Sequence, residues 1–237
     1  MSMEIREVSR FGSTLVASKE AVVFVVDDDV SVRESLEPLI ASAGWHAQTF
    51  ESAQEFLDRP RIHAPSCLLL DVSMPGLNGL ELQKRVASER PDMPVIFITG
   101  YGDVPMTVQA MKAGAVEVLT KPLRAEVLVA AIASALEHSR GAIDQEERMR
   151  ALRDRYALLS KREREVMALV VAGLLNKQVG SELGISEITV KAHRGRMMQK
   201  MNASSLPDLV TMSAQLGLHS FLRERTGRAS ISQGMDR

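Results

Sequence analysis

Three consecutive aspartates, Asp27, Asp28 and Asp29, follow directly on the apolar run Val22-Val23-Phe24-Val25-Val26. Asp71 closes a second apolar run, Cys67-Leu68-Leu69-Leu70, Thr99 closes a third, and Lys121-Pro122 follows a fourth. If these runs are parallel strands, one rim of the sheet collects carboxylates, a hydroxyl and an ammonium group. Clustered carboxylates repel one another unless a cation neutralises them, and an all-oxygen set with water suits octahedral Mg2+. A carboxylate beside such an ion can attack a phosphoryl group, because the metal screens the repulsion between the two anions. Lys121 would then hold a phosphate oxygen and Thr99 would hydrogen-bond another. Solvated turn residues would explain the aspartate triplet alone, but not Asp71, Thr99 and Lys121 each at its own strand end.

The elements that must position these groups are legible as alternating patterns. Apolar stretches of strand length at 21–26, 46–50, 67–70, 95–99 and 116–119 alternate with helical periodicity at 31–43, 53–58, 80–88, 104–113 and 125–138. Continuous Val/Ile/Leu strands separated by helices argue for a parallel sheet covered on both faces. From 139 to 158 the chain becomes charged and Arg-rich without strand character, which predicts a partly helical linker that can continue the helix before it. Ser160 to Glu163 then spells a capping box before an apolar periodic run that should end near Gly173. Further helices are expected from Asn176 to Leu183, from the cap Ser186 to about Met201, and from Leu206 to about Leu216. Residues 1–19 and 222–237 lack periodicity and are expected to be an N-terminal extension and a mobile tail.

A chain of 237 residues suits two separate cores. Residues 1–140 carry 13 Lys and Arg against 19 Asp and Glu, whereas residues 141–237 carry 16 against 11. Multivalent cations suit the acidic half and polyanions the basic one. The single cysteine, Cys67, cannot form an internal disulfide and reads as a buried strand residue. No apolar run approaches the ~20 residues needed to span a bilayer, and Glu4, Glu7 and Arg10 break up any secretory signal. A cytoplasmic location is expected. His46, His63, His138 and His219 show no metal spacing.

The strings V-V-D-D-D, L-L-L-D-V-S-M-P-G-L-N-G, F-I-T-G and L-T-K-P resemble the receiver domains of two-component response regulators. The resemblance covers a receiver domain at about 20–138 and implies a flavodoxin-like sheet of strand order 2-1-3-4-5. It makes Asp71 the phosphoacceptor, Asp27 and Asp28 the acidic pair, and the Ser73 carbonyl a further ligand of Mg2+ beside Asp71. Thr99 and Lys121 become the phosphate-sensing pair, with a cis Lys121-Pro122 bond. Val118 stands where many receivers carry an aromatic switch. Haloacid-dehalogenase-type phosphatases combine similar groups, but their D-x-D-x-[TV] motif fails at Ser31, and they leave Asp71 unexplained.

The segment 159–221 resembles the LuxR-type helix-turn-helix, closest to the FixJ subgroup of FixJ/NarL response regulators, across an all-α domain of four helices. Along its third helix Val190, Met197 and Met201 form an apolar seam, leaving cations free for the major groove. Lys191 and Arg194 are the candidates for base edges, with Lys177, Thr189, Arg196 and Lys200 on phosphates. His193 lies nearer the seam and suits packing with one phosphate contact. Gly195 offers no side chain where some relatives contact a base. The resemblance implies a DNA-binding transcription regulator, phosphorylated by a histidine kinase, dimerising on phosphorylation, with RNA polymerase as a candidate partner. It is no enzyme beyond its own Mg-dependent phosphorylation and dephosphorylation. The alternative is a phosphorylation-independent regulator whose receiver is only a dimerisation platform.

Overall fold

The computed structural model describes residues 21–100 and 104–218. The expected extension at 1–19, the tail at 222–237 and the loop residues 101–103 lie outside them. The described residues cluster into two compact units, divided between Ile143 and Asp144.

In the first unit, β1 (Val22–Val26), β2 (His46–Phe50), β3 (Ser66–Asp71), β4 (Val95–Thr99) and β5 (Glu117–Thr120) form one parallel sheet of order β2-β1-β3-β4-β5. The flavodoxin-like order is the expected one. The unit's helices are α1 (Val30–Ser42), α2 (Ala53–Leu57), α3 (Gly79–Glu89) and α4 (Val104–Lys112), and α5 (Ala125–Ala157) begins in this unit and crosses the division at Ile143. Side chains alternate across each strand, so two cores result. Phe24, Leu68, Leu70 and Phe97 pack on one face of the sheet. Val23, Val25, Leu69, Ile96 and Ile98 pack on the other, against Leu36, Leu128 and Ile132. Burial on both faces explains why β1, β3 and β4 read as unbroken apolar runs. Cys67 is fully buried among them, and burial pushes its thiol up to about 12, the behaviour of an inert core residue.

The last of these helices runs on past 138 through Gly141 to Ala157, so the partly helical segment expected at 139–158 continues it. A single glycine costs a helix only about 1 kcal/mol, and the Glu, Gln, Arg, Ala and Leu that follow it favour helix.

In the second unit α6 (Lys161–Val171), α7 (Asn176–Leu183), α8 (Glu187–Met201) and α9 (Leu206–Gln215) surround a core of Val166, Met167, Val170, Val179, Val190, Met197, Met201 and Leu209. Ser160 and Glu163 form the expected capping box on α6, and Ser186 caps α8. Gly184 takes a left-handed φ of 65° between α7 and α8, a conformation open to glycine at little cost. Gly180 is required for a different reason: a Cβ there would lie 2.7 Å from the Ile185 carbonyl oxygen. That close approach lets the turn fold back on α7.

Candidate functional site

β1 and β3 are paired with Val26 opposite Leu70, so the residues that follow, Asp27 and Asp71, emerge side by side at the carboxyl edge. Thr99 ends β4, and Lys121 follows β5 with its N–H donating to the Thr99 carbonyl at 2.8 Å. The bond from Lys121 to Pro122 is cis, as expected. The Lys121 ammonium donates to Asp27 Oδ2 at 2.9 Å and to Asp71 Oδ1 at 3.0 Å. The Ser73 N–H donates to the other oxygen, Asp71 Oδ2, at 2.7 Å. Asp27, Asp71 and Thr99 are buried, whereas Asp28 and Ser73 are exposed.

Burial pushes the Asp27 carboxyl up, with the hydrogen bonds from Lys121 and the Asp29 N–H opposing it only in part. For Lys121 the balance is the reverse: burial works against its charge, but hydrogen bonds to Asp27 and Asp71 outweigh that and raise its pKa. The rim is therefore an acidic pair held together by one cation, with Asp28 open to solvent beside it. Asp29, the third carboxylate, caps α1 by accepting from the Ser31 N–H and hydroxyl, which holds its pKa below the ordinary range.

Among the described residues no three imidazole, thiol or carboxylate groups already converge as a metal cage. Mg2+ seldom needs one: it keeps several waters and takes one or two carboxylates together with phosphate oxygens. Hard oxygens from Asp27, Asp28, Asp71 and the Ser73 carbonyl fit that habit.

On α8, Val190, Met197 and Met201 are fully buried, as the seam requires, while Lys191, Arg196 and Lys200 are exposed and Arg194 is half-buried. Lys191 pairs with Glu187 one turn earlier at 3.0 Å. Arg194 donates to Asn176 Oδ1 at the start of α7, at 3.1 Å. The Thr189 hydroxyl lies 2.8 Å from the Ser186 hydroxyl. Lys177 is exposed on α7. His193 is half-buried, with Nδ1 buried and unpartnered among the described residues. Lys200, expected on a phosphate, closes a 2.7 Å ion pair with the buried Glu163 of α6. That hydrogen bond, helped by the Ser160 N–H, holds the Glu163 carboxyl down to about 2.

The response regulator receiver domain family matches residues 23–133, and the luxR family of bacterial regulatory proteins matches residues 157–213. Nodulation protein W of Bradyrhizobium diazoefficiens is 47% identical over 215 residues, covering 91% of this chain and 95% of that one. The transcriptional regulatory protein FixJ of the same organism is 41% identical over 196 residues, 83% of this chain and 96% of its own. The chain belongs to the FixJ-type two-component response regulators. Response regulator StyR, a solved structure 44% identical, covers 83% of this chain and 99% of its own with a TM-score of 0.75. Full-length FixJ from B. japonicum, 41% identical, gives a TM-score of 0.51 over 84% of this chain and 98% of that one.

Three contacts of this response regulator are not legible in its sequence. Gly79 opens α3 so close to the Asp71 strand end that a Cβ would lie 2.5 Å from the Asp71 carbonyl oxygen. Its signal was the Asn-Gly pair seven residues beyond the strand. Asn176 and Glu163 engage Arg194 and Lys200 through contacts that no local pattern encodes.

Proposed function

We propose that this response regulator is switched by phosphoryl transfer from a histidine kinase to Asp71, and that the switch governs binding of α8 to promoter DNA. The observation that carries the proposal is Lys121 bridging Asp27 and Asp71, two carboxylates from the ends of two strands brought within hydrogen-bond length of the one ammonium that follows a third. An Asp71 carboxylate oxygen attacks the phosphorus of the kinase's phosphohistidine. The new P–O bond forms as the P–N bond breaks, and the imidazole nitrogen keeps the electron pair and takes up a proton. Lys121 is placed to move its hydrogen bond from the Asp71 carboxylate to a phosphoryl oxygen, and Thr99 to engage another. Asp27, Asp28, Asp71 and the Ser73 carbonyl would hold Mg2+, which when bound screens the charge between the two anions. The chain acts on no other substrate in this scheme.

On DNA, Lys191 and Arg194 read base edges, and Lys177, Thr189, His193 and Arg196 contact phosphates. Lys200 keeps two ammonium protons beyond the one given to Glu163, enough for a phosphate as well. Phosphorylation pairs two chains through α4 and β5, where Val108 and Lys112 are exposed, so that paired half-sites are favoured about one DNA turn apart, ~34 Å. No helix among the described residues is long and apolar enough to cross a membrane, and the protein works in the cytoplasm beside its DNA, with RNA polymerase as a further partner. Labelling with acetyl phosphate in Mg2+ tests the chemistry. Asp71→Asn should abolish labelling, and full labelling of that variant would refute the site.

A further inference from the structure

Ile188 stands in the first turn of α8 with 81% of its surface exposed, more than any other large apolar side chain among the described residues. It belongs to none of the hydrophobic clusters, so the fold does not need it. Ala192, one turn on, is also exposed, and Gly195, two turns on, has nothing within 4 Å of where its Cβ would stand. Residues spaced i, i+4 and i+7 share one helix face, so these three make a shallow apolar track on the side of α8 away from Val190, Met197 and Met201. Lys191 lies one turn from Ile188 on the same side, and Lys177, Arg194 and Arg196 supply further cations on α7 and α8.

An apolar side chain held in water gains free energy only when something covers it. A surface that surrounds it with cations points to a polyanion rather than a second protein. Within a nucleic-acid groove only one base presents an apolar group on its major-groove edge: thymine, through its 5-methyl. First-turn residues of a recognition helix are the ones that reach base edges, and the low relief of Ala192 and Gly195 lets the α8 backbone approach the groove floor closely.

We infer that Ile188 packs on the 5-methyl group of a thymine and so makes this regulator selective for thymine at one position of each half-site. Ile188 can do this only if α8 enters the major groove as proposed above. Side chains at Lys191 and Arg194 would still choose bases by hydrogen bonding, whereas Ile188 reads a group with no donor or acceptor.

Deoxyuridine differs from thymidine by that methyl alone, which makes the test specific. Duplexes selected by the full-length chain from a random pool are resynthesised with each thymine replaced in turn by uracil, and binding is measured for wild type and Ile188→Ala. Wild type should lose about threefold to fivefold in affinity at one position per half-site, the worth of one buried methyl. Ile188→Ala should bind the thymine duplex as weakly as wild type binds the uracil one and should not distinguish the two. Its melting temperature should match wild type, because the side chain it removes is exposed. Wild type indifferent to every substitution, or Ile188→Ala retaining the discrimination, would overturn the assignment while leaving α8 as the recognition helix. A chain that selects no sequence at all would overturn the recognition helix and Ile188 together.

Discussion

Removing the charge of Lys200 should destabilise the DNA-binding unit while leaving the receiver untouched. Glu163 is buried, with 4% of its side chain exposed, and its carboxyl is held at about 2 against an ordinary 4.5, first by the Lys200 hydrogen bond and then by the Ser160 N–H. At about 1.4 kcal/mol per unit the whole shift would be worth about 3 to 4 kcal/mol. Lys200 is 38% exposed, and solvent screening of that partner reduces the expected loss in Lys200→Met to about 2 kcal/mol. For a unit of this size that is on the order of 10 °C in melting temperature. Because the folded carboxyl is depressed, its contribution is complete above pH 4.5 and fades as the pH falls toward 2. The gap between wild type and variant should therefore be full at pH 7 and narrow in acid. Trp45, the one tryptophan, lies in the receiver. Urea unfolding of the full chain by circular dichroism, with Trp45 emission as the internal control, separates the two units. Equal stability at pH 7, or a gap unchanged between pH 7 and 3, would refute the reasoning.

Thr99→Ala should still label with acetyl phosphate but should transmit less of the effect to DNA binding; loss of labelling itself would give Thr99 a chemical role. Lys191→Ala or Arg194→Ala should cost ~1 to 3 kcal/mol on a selected site in a titration, and more there than on random duplex. An equal loss on both would count against base reading. Gly180→Ala should destabilise the second unit by about 1 to 3 kcal/mol, seen as an earlier unfolding transition, since its Cβ would stand 2.7 Å from the Ile185 carbonyl. The full chain should sediment as a dimer with beryllofluoride and Mg2+ and as a monomer without them, and Val108→Glu should weaken that pairing; a monomer in both states would exclude phosphorylation-driven dimerisation.

What the sequence disclosed follows from how locally each feature is determined. Strands buried on both faces leave unbroken apolar runs, so β1, β3 and β4 and the groups at their ends, Asp27, Asp71 and Thr99, could be placed on one rim before any coordinates. Caps such as Ser160 with Glu163 and Ser186 with Thr189 lie three residues apart and were equally legible, as was the buried seam of α8. The end of α5 was not fixed, only open to continuation past 138, because Gly141 signals a break that the helix formers after it outweigh. Nor were the partners of Lys200 and Arg194, which stand 37 and 18 residues away. Periodicity identifies which face of α8 is buried. It cannot tell that Glu163, an N-cap partner, would also be covered by α8 and claim one of the cations set aside for phosphates.

Phosphorylation of Asp71 should change the affinity of α8 for DNA. The direct measurement is a titration of a selected duplex with the full chain, in Mg2+, before and after treatment with acetyl phosphate, for wild type and Asp71→Asn. Wild type should shift its affinity by tenfold or more, on the order of 1.4 kcal/mol, and Asp71→Asn should not respond. A wild type that binds equally well in both states would contradict the account and favour a receiver that serves only as a platform for pairing.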